Sequence, residues 1–342
     1  MAFDHYLPRF YLRNFCGDKA RTRLGGYQIH NGHALVYRDD YHIDSVGGAK
    51  DYYVVERQGG VRSFDPVFNR AENEITSSET WNRIRGDTDA LAMSDREMLI
   101  YIVNHLWMRN PAIKKLFGEG RLRHAAGERT GTWFDHFMDR SLKDSGAEQE
   151  FFALCNEWQD LLQADTCPFD VVVCPSPIEL WTSTSPLMNT HPGFVKKGSS
   201  ATGIGLPLTK NLYVFLNTGN SSTRSFIKRP LSVSEATSVN RSLMYYFLSD
   251  FGVDNLFCPP VEDHGMFAAF GWNPVPGKHT KFVLDESQME EQHAVRLLID
   301  GTGDFTKIAS RLSIKTGTTY TAEVLQRDAV GFLSSFGIRR PR

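Results

Sequence analysis

The sequence predicts an α+β fold, with a mixed helical and antiparallel β core domain followed by a small C-terminal winged-helix-like module. Three observations predict it. Residues 94–110 carry apolar side chains at helical spacing, residues 25–41 read as a β-hairpin, and beyond Cys167 the chain breaks into short β-rich runs bounded by Pro, Gly and Ser. At 342 residues the chain exceeds one typical domain, so a core domain over 1–260 and a module over 261–342 are expected.

The first element is the stretch FDHYLPRFYLRNFC, where His5, Arg9 and Arg13 are threaded through aromatics. Pro8 holds Leu7 extended and suits the start of a helix, so PRFYLRNF reads as a short helix entered from an extended His5. Tyr11, Leu12 and Phe15 share one face and make the segment an N-terminal plug. GGYQIHNGHALVYRDDY follows as a hairpin turning at Asn31-Gly32, and KDYYVVERQGG as a further strand. VFNRAENEITSSETWNRI has helical spacing. Ser94-Asp95-Arg96-Glu97 has the form of a capping box, after which Leu99, Ile102, Val103 and Leu106 make an i, i+3, i+4, i+7 stripe that Asn110-Pro111 ends.

Residues 133–163, including FFALCNEWQDLL, predict one or two amphipathic helices. The β-rich part, 168–285, contains FDVVVC, IELWTSTSP, GIGLPLTKNLYVFLNTG and MFAAFGW as strands, interrupted by a helix over 232–250. The tail from KFVLDESQMEEQHAV to VGFLSSFGI reads as three helices after strands.

Composition excludes several function classes. With 38 basic and 40 acidic residues the net charge is -2, so no global field draws the chain to nucleic acid or anionic lipid. Five cysteines without a C-x-x-C pair predict reduced thiols. Asp4 and His5 stand where a secretory signal would be basic and then apolar, and no 18-residue apolar run occurs, which predicts a cytoplasmic protein away from membranes. Nucleotide-loop, zincin, EF-hand and nucleophile-elbow motifs are absent, and Gly203-Ile204-Gly205 lacks a third glycine, so no cofactor is expected.

The remaining chemistry is scattered. His105 and Arg109 are four apart on the capped helix and share a face, where an imidazole and a guanidinium fork would suit an anionic substrate. The alternative is a pair at the edge of the core, Arg109 capping the helix end. Arg109 also begins a basic run with Lys114, Lys115, Arg121, Arg123, His124 and Arg129, which reads either as a phosphate-binding patch or as a solvated helix face. His30, His33, Asp39, Asp40 and His42 lie on a turn and a strand that do not converge, so no metal is predicted. Glu72 and Glu74 are two apart on a helix and do not face each other. Thr182, Ser183, Thr184 and Ser185 in WTSTSP can donate to an oxyanion or simply build a turn.

His5-Tyr6-Leu7-Pro8-Arg9-Phe10-Tyr11-Leu12-Arg13-Asn14-Phe15 resembles the H-Y-[VI]-P-x-x-Y-L-x-x-F opening of the bacterial family called domain of unknown function 4238. The resemblance extends through AENEI, HLWMRNP, Thr182 to Pro186, Pro207-Leu208-Thr209 and Asn240, over about residues 1–255. One departure is visible: the family's T-S-D-N-P has lost its acidic residue here. The family implies a fold and a shared pocket, without an activity. Glu74, Thr182, Ser183 and Asn240 are the ligand-binding positions these motifs imply, joined by Lys114 and Lys115 of the basic run. Residues 294–338 resemble the winged-helix peptide-binding module of pyrroloquinoline-quinone maturation and ribosomal-peptide modifying enzymes, in which a peptide adds as a strand.

On this reading the plug holds His5 and Arg9 beside His105 and Arg109 around one cavity for an anion. Two imidazoles as base and acid and two guanidiniums for developing charge make metal-free phosphodiester or nucleotide cleavage reasonable, as a hydrolase or nuclease of bacterial defence. Two alternatives stand beside it: a peptide-binding protein of ribosomal-peptide modification, and a non-catalytic sensor of an anionic small molecule.

Overall fold

A computed structural model describes residues 3–30, 34–57, 60–63, 65–111, 170–186, 203–217, 225–248, 254–262 and 264–285, with isolated positions at 309, 310, 313, 319, 321 and 323. The Asn31-Gly32 turn, the basic run from Lys114 and Lys115 to Arg129, the helices expected over 133–163 and the module resemblance at 294–338 lie outside the described residues, save the isolated positions.

β1 (Phe3–His5) leads through Pro8 into the one-turn helix α1 (Arg9–Leu12). The hairpin strands β2 (Arg23–His30) and β3 (Ala34–His42) follow, then β4 (Gly48–Lys50), β5 (Val54–Arg57) and β6 (Gly60–Ser63). The helical middle holds α2 (Asp65–Ser77), α3 (Glu79–Gly86) and α4 (Arg96–Met108). After it come β7 (Asp170–Pro175), β8 (Thr182–Ser183), β9 (Gly203–Thr209), β10 (Leu212–Asn217), β11 (Phe226–Lys228) and α5 (Val233–Leu248). β12 (Asn255–Phe257), α6 (Gly265–Ala269), β13 (Trp272–Val275) and β14 (Lys278–Leu284) complete the order. Helices and antiparallel sheets occur together, so the fold is α+β.

The chain divides into two compact units, one of Met1–Arg23 with His42–Asn240 and one of Leu24–Tyr41 with Arg241–Arg342. In the first unit a sheet runs β11–β7–β10–β9, with β7, β10 and β9 antiparallel and β11 parallel to β7. Successive residues Val171, Val172 and Val173, and Leu212 to Leu216, are all buried, so this sheet is covered on both faces. α4 is one of the covers, lying against β7, β9 and β10. β1 pairs antiparallel with β4, fixing His5 opposite Gly48.

α4 differs from its expected amphipathic form. Beyond the stripe of Leu99, Ile102, Val103 and Leu106, Ile100, Tyr101, Asn104, His105 and Trp107 are buried too, so from Leu99 to Trp107 the helix is enclosed on every side, while Glu97 in its first turn is exposed. Its start also departs from a capping box at Ser94. The helix begins at Arg96, and the Asp95 carboxylate turns back to accept from the Ala92 amide at 2.8 Å and the Thr80 hydroxyl at 2.7 Å. The single helical pattern before it is split in two, because the Ser78 hydroxyl accepts from the Trp81 amide and starts α3. The strand expected from KDYYVVERQGG is likewise divided, at Asp51, whose φ of 51° breaks the extended run between β4 and β5.

In the second unit the strands run β13–β14–β3–β2–β12. β12 pairs antiparallel with β2, and β14 antiparallel with both β3 and β13. MFAAFGW corrects the reading as a strand: Gly265–Ala269 is helical, burying Phe267 and Phe270 three apart, and Gly271 at φ +81° ends the turn before β13.

Candidate functional site

The sequence-predicted groups of the first unit fall into a buried network and a surface corner that meet at His5. Arg109, the residue that closes α4, has a fully enclosed guanidinium. Its Nε donates to the Tyr53 hydroxyl at 2.5 Å, one Nη1 proton goes to a Glu72 carboxylate oxygen and another to His105 Nε2 at 2.8 Å, and Nη2 donates to the His5 carbonyl. Four of the five N–H groups are spent. The guanidinium carbon also lies 5.3 Å and 5.1 Å from the Tyr53 and Phe68 ring centroids. Burial pulls the Arg109 pKa down, but Tyr53 and the Glu72 charge outweigh it and the net shift is upward.

His105 is sealed in the same network. Because an arginine only donates, Nε2 accepts and the ring proton of neutral His105 sits on Nδ1. Burial, and then the Arg109 charge, push this imidazole well below the ordinary histidine value. The ring lies near Phe10 and Phe68, at centroid distances of 6.4 Å and 5.9 Å.

His5 faces two ways. Its carbonyl accepts from Arg109 and from the Tyr53 hydroxyl at 2.9 Å, while the preceding Asp4 carboxylate accepts from the Tyr53 amide at 3.0 Å. Its half-buried ring stands near Arg9 and Asp44, with Nε2 itself closed to solvent. Burial and the Arg9 charge lower the ring's pKa, against backbone hydrogen bonding at Asp44 and Ile43 and the Asp44 charge, which raise it.

Arg9 is paired with Asp44 at 2.8 Å, both side chains 51% exposed, so it stands in the surface corner and not in a shared cavity with Arg109. His42 completes the corner. Its Nδ1 lies 3.3 Å from the Asp44 amide and 3.4 Å from the Asp44 carboxylate. The amide and the carboxylate of Asp44 thus both lie within reach of one ring nitrogen.

The other predicted positions are ties between segments. Tyr11 places its hydroxyl 2.6 Å from Thr182 Oγ1 and donates to the Pro207 carbonyl at 2.8 Å, and Asn14 donates to the Leu208 carbonyl at 3.0 Å. Ser183 accepts from the Ser185 amide at 3.2 Å, and Ser185 donates to Asn110 Oδ1 at 2.9 Å. Asn240 accepts from the Trp181 amide and donates to the Glu179 carbonyl, both at 2.9 Å. Glu74 accepts from the Tyr101 hydroxyl at 3.3 Å, while its neighbour Glu72 holds Arg109. Thr182 and Ser183 are fully buried and Asn240 nearly so.

The residues missed in sequence were Tyr53, Asp44 and Asp4. Nothing local marks Tyr53, whose partners lie 48 and 56 positions away.

A family model for protein of unknown function (DUF4238) matches residues 4–245, about seven-tenths of the chain. The chain belongs to the DUF4238 family. No curated protein and no solved structure matches it. The segments that carry the DUF4238 resemblance are those tied above: the opening motif to Thr182 and Pro207, the R-N-P end of α4 to Ser185 and His5, and Asn240 to the loop that leads into β8. Among the described residues, the DUF4238 motif positions tied in this way join segments of the fold, and the His5 corner carries half-exposed charged groups.

Among the described residues no group of three His, Cys, Asp or Glu could hold a metal ion, and no helix is long and apolar enough to cross a membrane. Cys16, Cys174 and Cys258 carry free thiols. Burial pushes Cys16 to about 11 and Cys174 to about 12, so neither is a thiolate at neutral pH.

Proposed function

We propose that this DUF4238 chain binds a phosphate-ester anion at the corner of His5, Arg9, His42 and Asp44 and hydrolyses it by acid–base chemistry, as a phosphodiester- or nucleotide-cleaving enzyme. One observation carries the reading: Asp44 gathers the half-exposed Arg9 guanidinium and the His42 imidazole beside the His5 ring. A neutral His5 ring, once a shift of the corner opens its buried Nε2, can take the proton of an attacking water as its oxygen bonds to phosphorus. The P–O bond to the leaving group then breaks, and His42, held by Asp44, gives that oxygen a proton. Arg9 faces the phosphoryl oxygens after releasing Asp44. That exchange is cheap, because a half-exposed pair contributes only ~0–1 kcal/mol.

His105 and Arg109 support this chemistry without taking part. A sealed ring with its acceptor nitrogen engaged cannot reach a substrate proton, and Arg109 is already neutralised by Glu72.

Turnover assays on a panel of nucleotides and phosphodiesters test the proposal. His5→Ala and His42→Ala should each lower the rate by about 10²–10⁴-fold. Undetectable turnover by the wild-type chain across the panel would sink it. A non-catalytic anion sensor is the second reading, favoured by the Arg9–Asp44 pair, which an arriving anion would open. It predicts a nucleotide recovered intact after binding.

A further inference from the structure

We infer that Tyr53 and Arg109 are positioning residues that set the orientation of the His5 ring by gripping its main chain from the buried side. The inference rests on the anion-site reading for its functional meaning, and on geometry alone for its physical content.

β1 is three residues long and pairs with β4 in a two-stranded sheet, a ribbon of marginal stability by itself. Tyr53 supplies two of the missing constraints. Its amide fastens the Asp4 carboxylate and its hydroxyl fastens the His5 carbonyl, one residue further on. Two bonds from one rigid aromatic residue to consecutive positions fix both the translation and the twist of the strand end. The same hydroxyl accepts from Arg109 Nε while donating to His5, and Arg109 Nη2 reaches the identical carbonyl. Each oxygen is thus held from two directions. Arg109 is in turn aimed by Glu72 and His105, which occupy the two Nη1 protons, and by the Phe68 face beneath it. A charge so enclosed would be costly without these partners, and their placement points its remaining donors at the His5 carbonyl. With that carbonyl fixed, the Cα–Cβ bond of His5 can leave only toward the corner that Arg9 and Asp44 form.

The experiment follows the His5 ring by NMR, its Cε1–H resonance assigned by loss in His5→Gln. Tyr53→Phe keeps the ring that packs against Phe68 at 4.5 Å and deletes only the hydroxyl. Arg109→Lys keeps the charge and deletes the fork. In the folded wild type the resonance should titrate below the ordinary histidine value. In Tyr53→Phe it should move back toward that value as the ring gains solvent, and the affinity for inorganic phosphate should fall by about tenfold. Arg109→Lys, if folded, should do the same; if it fails to fold, Tyr53→Phe decides. An unchanged His5 titration in folded Tyr53→Phe overturns the inference. Phosphate that leaves both the His5 and His42 resonances of the wild type unmoved overturns the anion-site reading instead, and the phosphate-free titrations still judge the positioning role.

Discussion

His105 shows how one residue sets a pH limit on the fold. An ionised ring would place a second cation 2.8 Å from an Arg109 nitrogen, inside a site closed to water. Folding therefore holds both His105 and His5 below the ordinary value, and the unfolded chain takes up protons first as the pH falls through about 6.5. Their contribution to stability is complete above that pH and declines below it. Thermal melts should show Tm falling between pH 7.5 and 5. His105→Gln, which can still accept from Arg109 but does not titrate, should reduce that slope, and an equal slope in the variant would show that His105 is not its source. The identities of His5, Arg9, His105 and Arg109 were legible as polar anomalies in apolar surroundings. Their roles were not, because helical spacing tells which residues share a face but not how deeply that face is buried. An arginine bordering an apolar stripe reads as exposed; Arg109 is enclosed because the opposite side of α4 is covered as well.

At the scale of elements, α1 is too short to persist by its own backbone bonds, since isolated helices need ~12–15 residues. It is held by its side chains. Phe10, Tyr11 and Leu12 are buried, Phe10 meets Trp81 edge-on at 4.9 Å, and the Tyr11 hydroxyl joins Thr182 and Pro207. Tyr11→Phe leaves the Pro207 carbonyl and Thr182 hydroxyl short of a partner in a dry site, which should cost about 1–3 kcal/mol. Urea unfolding would measure the loss, and amide exchange should speed up in α1 before the β7–β10 sheet; equal protection in α1 would contradict the anchoring role. The aromatic spacing after Pro8 made this helix readable, whereas its partner 171 positions away left no local mark. α4, with a full stripe and a clear stop, was readable for the same reason in longer form. GMFAA was not, because a run this short has the same apolar pattern as a buried strand, and only the left-handed Gly271 shows where the helix turn ends.

For the whole molecule, the second unit is built from chain segments that translation separates widely. The strands β2 and β3 were legible as apolar runs, but local pattern names a strand and not its neighbour. Its neighbours are β12 on the β2 side and β14 on the β3 side. A chain ending at residue 250 lacks both, and limited proteolysis should then cut within β2 or β3 faster than in the full chain. Protection in the shortened chain would mean that the hairpin stands without those strands. The same discontinuity imposes a waiting time during synthesis. β14 leaves the ribosome about 240 residues after β3, so at ~5–20 residues per second the hairpin spends ~10–50 s with open edges. Arg38, Asp39 and Asp40, consecutive charges in β3, suit such an interval, because a strand carrying them is a poor template for another nascent chain.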